Sequence, residues 1–67
     1  MLCRFTLSPD DVVLIYQGES GDTYETGLLF FGINPDTVLI FADSKSLPQD
    51  KKIEEEEVRI FLATSRG

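Results

Sequence analysis

The chain has 67 residues, with 12 Asp and Glu against 6 Lys and Arg, a formal net charge of −6, no histidine and one cysteine. This length predicts a single domain, residues 1–67, with a marginal core of its own. The lone Cys3 excludes an internal disulfide, and the missing histidines and CxxC pairs argue against structural zinc. No basic stripe is visible, so direct nucleic-acid binding is not expected.

The first third of the chain predicts two strands joined by a turn. Residues 2–7 alternate apolar and polar side chains, which is typical of a half-buried strand. Ser8-Pro9-Asp10-Asp11 has turn composition, and the run 12–16, VVLIY, favours a second strand because it is β-branched. Two glycines in residues 18–22 predict a loop there.

The centre of the chain, Gly27 to Ala42, reads GLLFFGINPDTVLIFA. Two apolar runs, Leu28 to Phe31 and Val38 to Phe41, flank the polar connector Asn34-Pro35-Asp36-Thr37. Both runs are short and rich in β-branched or aromatic residues, a pattern that predicts a β-hairpin. We therefore expect a third strand within residues 23–33 and a type I turn at the connector.

The rest of the chain predicts a fourth strand over residues 38–43 and a long polar loop over residues 44–52. The tail, residues 53–63, combines four glutamates with an apolar pattern. A strand over residues 56–63 places Val, Ile and Leu on one face, which a helix does not, so we favour the strand. A C-terminal helix over about residues 50–64, in a ββββα layout, is the alternative.

These elements predict an all-β or β-dominated domain, an antiparallel meander of four or five strands closed into a small SH3-like or Sm-like barrel. The succession VVLIYQG, TGLLFF and TVLIFAD resembles the strand order of Sm-like barrels, although the RNA-reading motifs of that family are not matched. Residues 12–16, 28–33 and 38–42 are apolar on both strand faces. A barrel hides one face only, so we expect a second subunit to cover the other.

No residue pattern predicts a catalytic or cofactor site. Glu54-Glu55-Glu56-Glu57 lacks the shaped, glycine-containing loop that supplies about six to eight oxygens to Ca²⁺, so we expect a solvated acidic edge. Asp10 and Asp11 are neighbours whose side chains point apart in a strand. Cys3 has no histidine to activate it and is expected to be a buried apolar residue. We expect no metal, no cofactor and no enzymatic activity.

The composition favours a small acidic protein-interaction module acting as an adaptor, an inhibitor or an assembly subunit. Short acidic chains of this type are common among phage-encoded inhibitors. We expect a protein partner with a basic patch, together with homo-oligomer formation. The alternatives are a small-barrel nucleic-acid-binding protein and an acidic mimic that blocks a nucleic-acid-binding protein.

No basic segment followed by a long apolar run is visible, so a cytoplasmic protein without membrane contact is expected. Aromatic side chains of the apolar segments and the acidic run are the strongest candidates for binding a partner, because aromatic residues buried at an interface supply most of its energy and charges steer association. The predicted partner-binding residues are Tyr24, Phe30, Phe31, Glu54, Glu55, Glu56 and Glu57.

Overall fold

The computed structural model describes residues 1–63 as one mixed five-stranded sheet with a short helix packed on one face. The strands run in the order β2-β1-β5-β3-β4, and β1 and β5 are parallel while the other neighbours are antiparallel. The elements are β1 Leu2–Ser8, β2 Val12–Gln17, α1 Tyr24–Phe30, a 3₁₀ turn Pro35–Thr37, β3 Val38–Ala42, β4 Lys45–Leu47 and β5 Glu57–Leu62.

The predicted dominance of β structure is confirmed, and so are four of the predicted strand positions, which correspond to β1, β2, β3 and β5. The simple meander is wrong, because the central pair β1–β5 is parallel and joins distant parts of the chain. The sheet is not closed, so the small barrel is not confirmed. The alternative C-terminal helix over 50–64 is also wrong, since β5 occupies its second half; residue 64 lies outside the described residues.

The predicted third strand is the largest error, because residues 24–30 form the helix α1. Thr23 caps its first turn by accepting a hydrogen bond from the backbone N–H of Thr26 at 3.3 Å. The residues facing the sheet are Tyr24, Gly27, Leu28 and Phe31, which have the i, i+3, i+4, i+7 spacing of one helix face.

Gly32 ends α1. Its φ of +77° is a left-handed conformation that glycine adopts without steric cost. The N–H of Ile33 donates to the carbonyl of Leu28 at 2.9 Å, and that of Gly32 donates to Leu29 at 3.0 Å. These two bonds form a Schellman motif, which satisfies carbonyls that the end of a helix leaves free. The helix therefore stops after two turns, and residues 31–37, which include the 3₁₀ turn, connect it to β3.

The polar segment before β5, residues 49–53, forms hydrogen bonds with the N-terminal end of α1. The N–H groups of Tyr24 and Glu25 donate to the carbonyls of Lys51 and Gln49, at 3.2 and 2.8 Å. In return, the N–H of Ile53 donates to the backbone carbonyl of Asp22 at 2.8 Å, and the Ile53 side chain lies in the core. The first turn of a helix leaves its N–H groups without partners, so this segment anchors α1 by supplying carbonyls.

The predicted loop over residues 44–52 contains a further strand, β4. Asp43 and Ser44 connect it to β3, and both have positive φ, 52° and 73°. Two such residues in succession form the tight turn that suits the twist of a β-hairpin. The connector at Asn34 forms a short 3₁₀ turn in which the N–H of Thr37 donates to the Asn34 carbonyl at 3.0 Å, the bond expected of the predicted turn.

The hydrophobic core lies between α1 and one face of the sheet. Phe5 is its centre, and its ring contacts the rings of Tyr16, Tyr24 and Phe31 at centroid distances of 5.8–6.0 Å. Aromatic pairs at such distances favour tilted and edge-to-face geometry, as here. The other side of the sheet has no covering element within residues 1–63. The buried core residues are Cys3, Phe5, Tyr16, Tyr24, Leu28, Val38, Ile40, Ile53, Val58 and Ile60.

Candidate protein-interaction surface

The uncovered side of the sheet, called the open face, carries the alternate residues of each strand. Because neighbouring residues of a strand point to opposite faces, the register that directs Phe5, Val58 and Ile40 into the core directs their neighbours outward. The open face consists of Leu2, Arg4, Thr6, Ser8, Val13, Ile15, Gln17, Leu39, Phe41, Ser46, Glu57, Arg59 and Phe61.

Apolar side chains on the open face form two groups on either side of a polar strip. Leu39 and Phe61, which face each other across β3 and β5, keep 49% and 40% of their surface exposed. Val13 and Ile15, on β2, keep 51% and 53%. A sheet that is covered on one face only normally carries apolar residues on the covered face and polar residues on the face exposed to solvent. The exposed groups depart from that pattern and make this face a candidate contact surface.

A shallow groove crosses the β3–β5 half of the open face. The rings of Phe41 and Phe61 pack edge to face in it, with centroids 5.3 Å apart and planes at 83°. In this arrangement each ring packs against the other. We call it the β3–β5 groove; its lining residues are Leu39, Phe41, Asp43, Ser44, Arg59 and Phe61.

The polar strip between the two apolar groups is built around Arg59. Its guanidinium donates at 2.8 Å to Ser8 Oγ and at 2.8 Å to Asp11 Oδ1. Thr6 and Ser8 are buried although they belong to the open face, and Thr6 lies beside Arg59 in the β1–β5 register. A second ion pair joins Arg4 to Glu57 at 3.7 Å. Both arginines of the open face are therefore paired with carboxylates.

The acidic run precedes and begins β5, next to the open face. Glu54, Glu56 and Glu57 are exposed, whereas Glu55 is partly buried. Carboxylates of this run lie beside the start of β5 and the end of β3, where Asp43 adds a further carboxylate. Residues 56 and 57 thus form an acidic border beside the apolar groove.

Glu55 is directed away from that border, toward the interior. It accepts a hydrogen bond from the hydroxyl of Tyr24 and forms an ion pair with Lys51 at 3.1 Å. Partial burial opposes its ionisation, but the hydrogen bonds from Tyr24 and Lys51 outweigh burial and hold the pKa of Glu55 below its ordinary value of 4.5. Burial, followed by the bond to Glu55, raises the pKa of Tyr24. The pair anchors α1 to the segment before β5.

Cys3 lies in the core beside Tyr24. Burial raises the pKa of its thiol to about 11, with only a partial opposing effect from a hydrogen bond to Tyr24. The thiol is consequently protonated at neutral pH, and a protonated, buried thiol is a poor nucleophile. Its position matches the expectation of a small buried apolar residue.

The structure separates the residues predicted to bind a partner. Tyr24 is completely buried, so it cannot contribute to a surface, contrary to the prediction. Phe31 is half-buried against Phe5 and Tyr16. Phe30 is 72% exposed, but it packs on Tyr16 of β2, whereas the acidic run leads into β5, on the other side of β1.

The predicted partner-binding residues did not include Leu39, Phe41 or Phe61, although residues 38–42 were expected to be covered by a second subunit. The sequence contained a signal for these residues. Residues 38–42 are apolar at every position, and Phe61 lies on the same strand face as the polar Glu57 and Arg59. Deciding which parity faces the core requires knowing which face the helix covers.

Within residues 1–63, no cluster of three or more His, Cys, Asp or Glu side chains is arranged to hold a metal ion. The helix in this part of the chain is too short to cross a membrane. No protein-family model matches the sequence, and no curated protein is significantly similar to it.

Proposed function

We propose that this chain is a small, acidic, non-enzymatic interaction domain that binds a partner protein through the β3–β5 groove. The observation that supports this most directly is the apolar set of Leu39, Phe41 and Phe61, of which Leu39 and Phe61 are nearly half exposed, on strands whose backbones are already paired. These side chains contribute little to the core, and clustered apolar groups of this kind mark binding sites. A partner would insert an apolar side chain between them.

The charges beside the groove suggest the chemistry of the partner. Asp43, Glu56 and Glu57 border its apolar lining, and the chain as a whole carries −6. Carboxylates at the rim of an interface mainly steer association and select partners of opposite charge. We therefore expect a partner with an apolar anchor surrounded by lysines or arginines.

The acidic-mimic hypothesis has narrower support. It depends on the exposed carboxylates of Glu54, Glu56 and Glu57, since Glu55 is partly buried and bonded to Tyr24 and Lys51. Of these three, Glu54 is paired with Lys51 and Glu57 with Arg4. A mimic needs no apolar groove, and the groove beside these carboxylates has no role in it. Direct nucleic-acid binding has less support still, because Arg4 and Arg59 on the open face are paired with Glu57 and Asp11.

A comparative capture experiment tests the proposal. Immobilised protein, the double variant Leu39→Ser/Phe61→Ser and the control Leu29→Ser are exposed to the same source-cell lysate, and captured proteins are quantified. Leu29 is exposed to a degree similar to Leu39 but lies on α1, so the control removes one exposed leucine side chain away from the groove. We expect a partner that the wild type and the control retain and that the groove variant loses.

Two further results separate the hypotheses. The captured protein is purified, and its binding is measured at low and high salt for the wild type and for Glu56→Gln/Glu57→Gln. A rim role predicts slower association with modest loss of affinity. Equal capture by the groove variant, with loss on neutralising the two glutamates, would refute the groove and favour the acidic mimic.

A further inference from the structure

The outer edge of β2 has unused hydrogen-bonding groups. Met1 and Gly18 bond each other in both directions, N to O at 2.7 and 2.9 Å, which fixes the phase of the β1–β2 ladder. Bonded and non-bonded pairs alternate along antiparallel strands. The N–H and C=O groups of Val13, Ile15 and Gln17 therefore point away from β1. No other backbone hydrogen bond reaches these three residues within the described part of the chain.

The two edges of the sheet differ in their protection against strand pairing. The edge strand β4 has three residues, begins with Lys45 and is followed by Pro48, all features that discourage a further strand. The edge strand β2 has six residues, VVLIYQ, and contains neither a charge nor a proline. An uncharged edge of this length is a template for another strand.

Exposed apolar side chains border the β2 edge on both faces of the sheet. Val13 and Ile15 lie on the open face, each about half exposed. On the helix side, Val12 is also about half exposed, and Phe30 packs edge to face on Tyr16 with a centroid distance of 5.7 Å. An added strand would cover apolar surface on both of its faces while it satisfies the free backbone groups.

We propose that this edge pairs with the β2 strand of a second copy, so that two five-stranded sheets form one continuous sheet. Charge identifies a second copy of this chain as the partner strand. Each copy carries −6, and β2 is an uncharged stretch between Asp11 and Glu19. Two acidic chains associate most readily where neither presents a carboxylate. Pairing about a two-fold axis uses both β2 edges, and the protected β4 edges leave the assembly closed at two copies.

Charge also restricts the register. With Leu14 opposite Leu14 of the second copy, Val13 faces Ile15 and Asp11 faces Gln17, so no like charges meet. Moving the axis to Ile15 would place Asp11 opposite Glu19, which is unfavourable. In the favoured register Val13 and Ile15 of each copy exchange backbone hydrogen bonds across the axis, and their branched side chains pack on the open face.

This dimer uses a surface different from the β3–β5 groove. Edge pairing leaves the Leu39 and Phe61 side chains uncovered, because they lie on β3 and β5, and β1 separates β5 from β2. Failure of the dimer and failure of the proposed function are therefore distinguishable: substitutions on β2 test the first, and substitutions in the groove test the second.

The test compares molecular mass in solution for the wild type, Ile15→Lys and the control Leu39→Lys over a wide concentration range. Both residues lie on the open face with similar exposure, but Leu39 belongs to β3, which is paired on both edges. We expect the wild type and the control to reach twice 7.5 kDa. Ile15→Lys should raise the dissociation constant by at least about tenfold, because the substitution enters the interface twice.

Amide hydrogen exchange tests the edge without a substitution. We expect the N–H groups of Val13 and Ile15 to gain protection as protein concentration rises, while those of Leu14 and Tyr16 are protected at every concentration by β1. A wild type that remains at 7.5 kDa into the millimolar range would overturn the proposal. So would equal effects of Ile15→Lys and Leu39→Lys, or protection of Val13 and Ile15 that appears only with a foreign partner.

Discussion

Both faces of the sheet carry apolar side chains, but only the covered face is apolar throughout its core, and the surroundings of the two faces differ. On the covered face, Phe5, Val58 and Ile60 have almost no exposed surface, because α1 and the segment before β5 pack over them. On the open face, Leu39 and Phe61 keep nearly half of theirs. In a chain of this length one short helix can cover only one side, so the covered face supplies the core and the open face keeps its apolar side chains exposed.

The largest expected difference between the faces concerns Phe5 and Phe61. Phe5→Ala removes the fully buried centre of the aromatic cluster and should cost about 3–5 kcal/mol, enough to unfold much of a domain this small. Phe61→Ala, on the open face, should cost about 1 kcal/mol or less. Urea unfolding measures both, and Phe5→Leu provides a folded variant for comparison. Similar losses for the two alanine variants would show that the open face is also part of the core.

Gly27→Ala tests how tightly α1 packs on the covered face. A β-carbon on Gly27 would lie 2.8 Å from Cζ of Phe5, and the buried Phe5 ring has little room to move. We expect a loss of about 1–3 kcal/mol from this overpacking, although alanine favours helix over glycine. Thr26→Ala, on the exposed side of α1, is the control and should be nearly neutral. A gain in stability for Gly27→Ala would mean that the helix is loosely packed.

Glu55→Gln tests the anchor between α1 and the segment before β5. Loss of the carboxylate that accepts from Tyr24 should cost about 1–2 kcal/mol at pH 7, and Glu56→Gln, on an exposed neighbour, should cost much less. The pKa of Glu55 is lowered in the folded protein, so its contribution is complete above the unfolded value of about 4.5. That contribution is lost as the pH falls through the folded pKa. The difference in free energy of unfolding between wild type and Glu55→Gln should therefore shrink below about pH 4.5. A difference that stays constant from pH 7 to pH 3 would rule out the charge of Glu55 as its cause.

Strands could be predicted from the sequence wherever one pattern dominated. The alternation in β1 and β5 and the β-branched runs in β2 and β3 gave correct positions. The helix α1 was missed because the exposed Leu29 and Phe30 fill its polar side with apolar residues and hide the helical stripe. Thr23 as N-cap and Gly32 as terminator were the local signals that indicate a helix there. The short, polar β4 exists only because the Asp43–Ser44 turn returns the chain to β3.

The candidate surface was less predictable than the fold. The acidic run and the exposed Phe30 could be identified from residue type alone. The groove could not, because Leu39 and Phe61 differ from the buried Ile40 and Ile60 only in strand parity. Which parity is buried depends on the position of α1, a tertiary fact. Tyr24 was misassigned for the same reason: an aromatic residue in a presumed strand proved to be the first buried residue of the helix.

The most direct test of the account is the affinity of the purified partner for Phe61→Ser relative to the wild type, by titration calorimetry with the folded fraction measured on the same samples. If the open face binds the partner and the covered face stabilises the fold, Phe61→Ser should lower the affinity for the partner by at least about tenfold. The free energy of unfolding should change by about 1 kcal/mol or less. Affinity unchanged within about twofold, at equal folded fraction, would contradict the assignment of the β3–β5 groove as the binding surface.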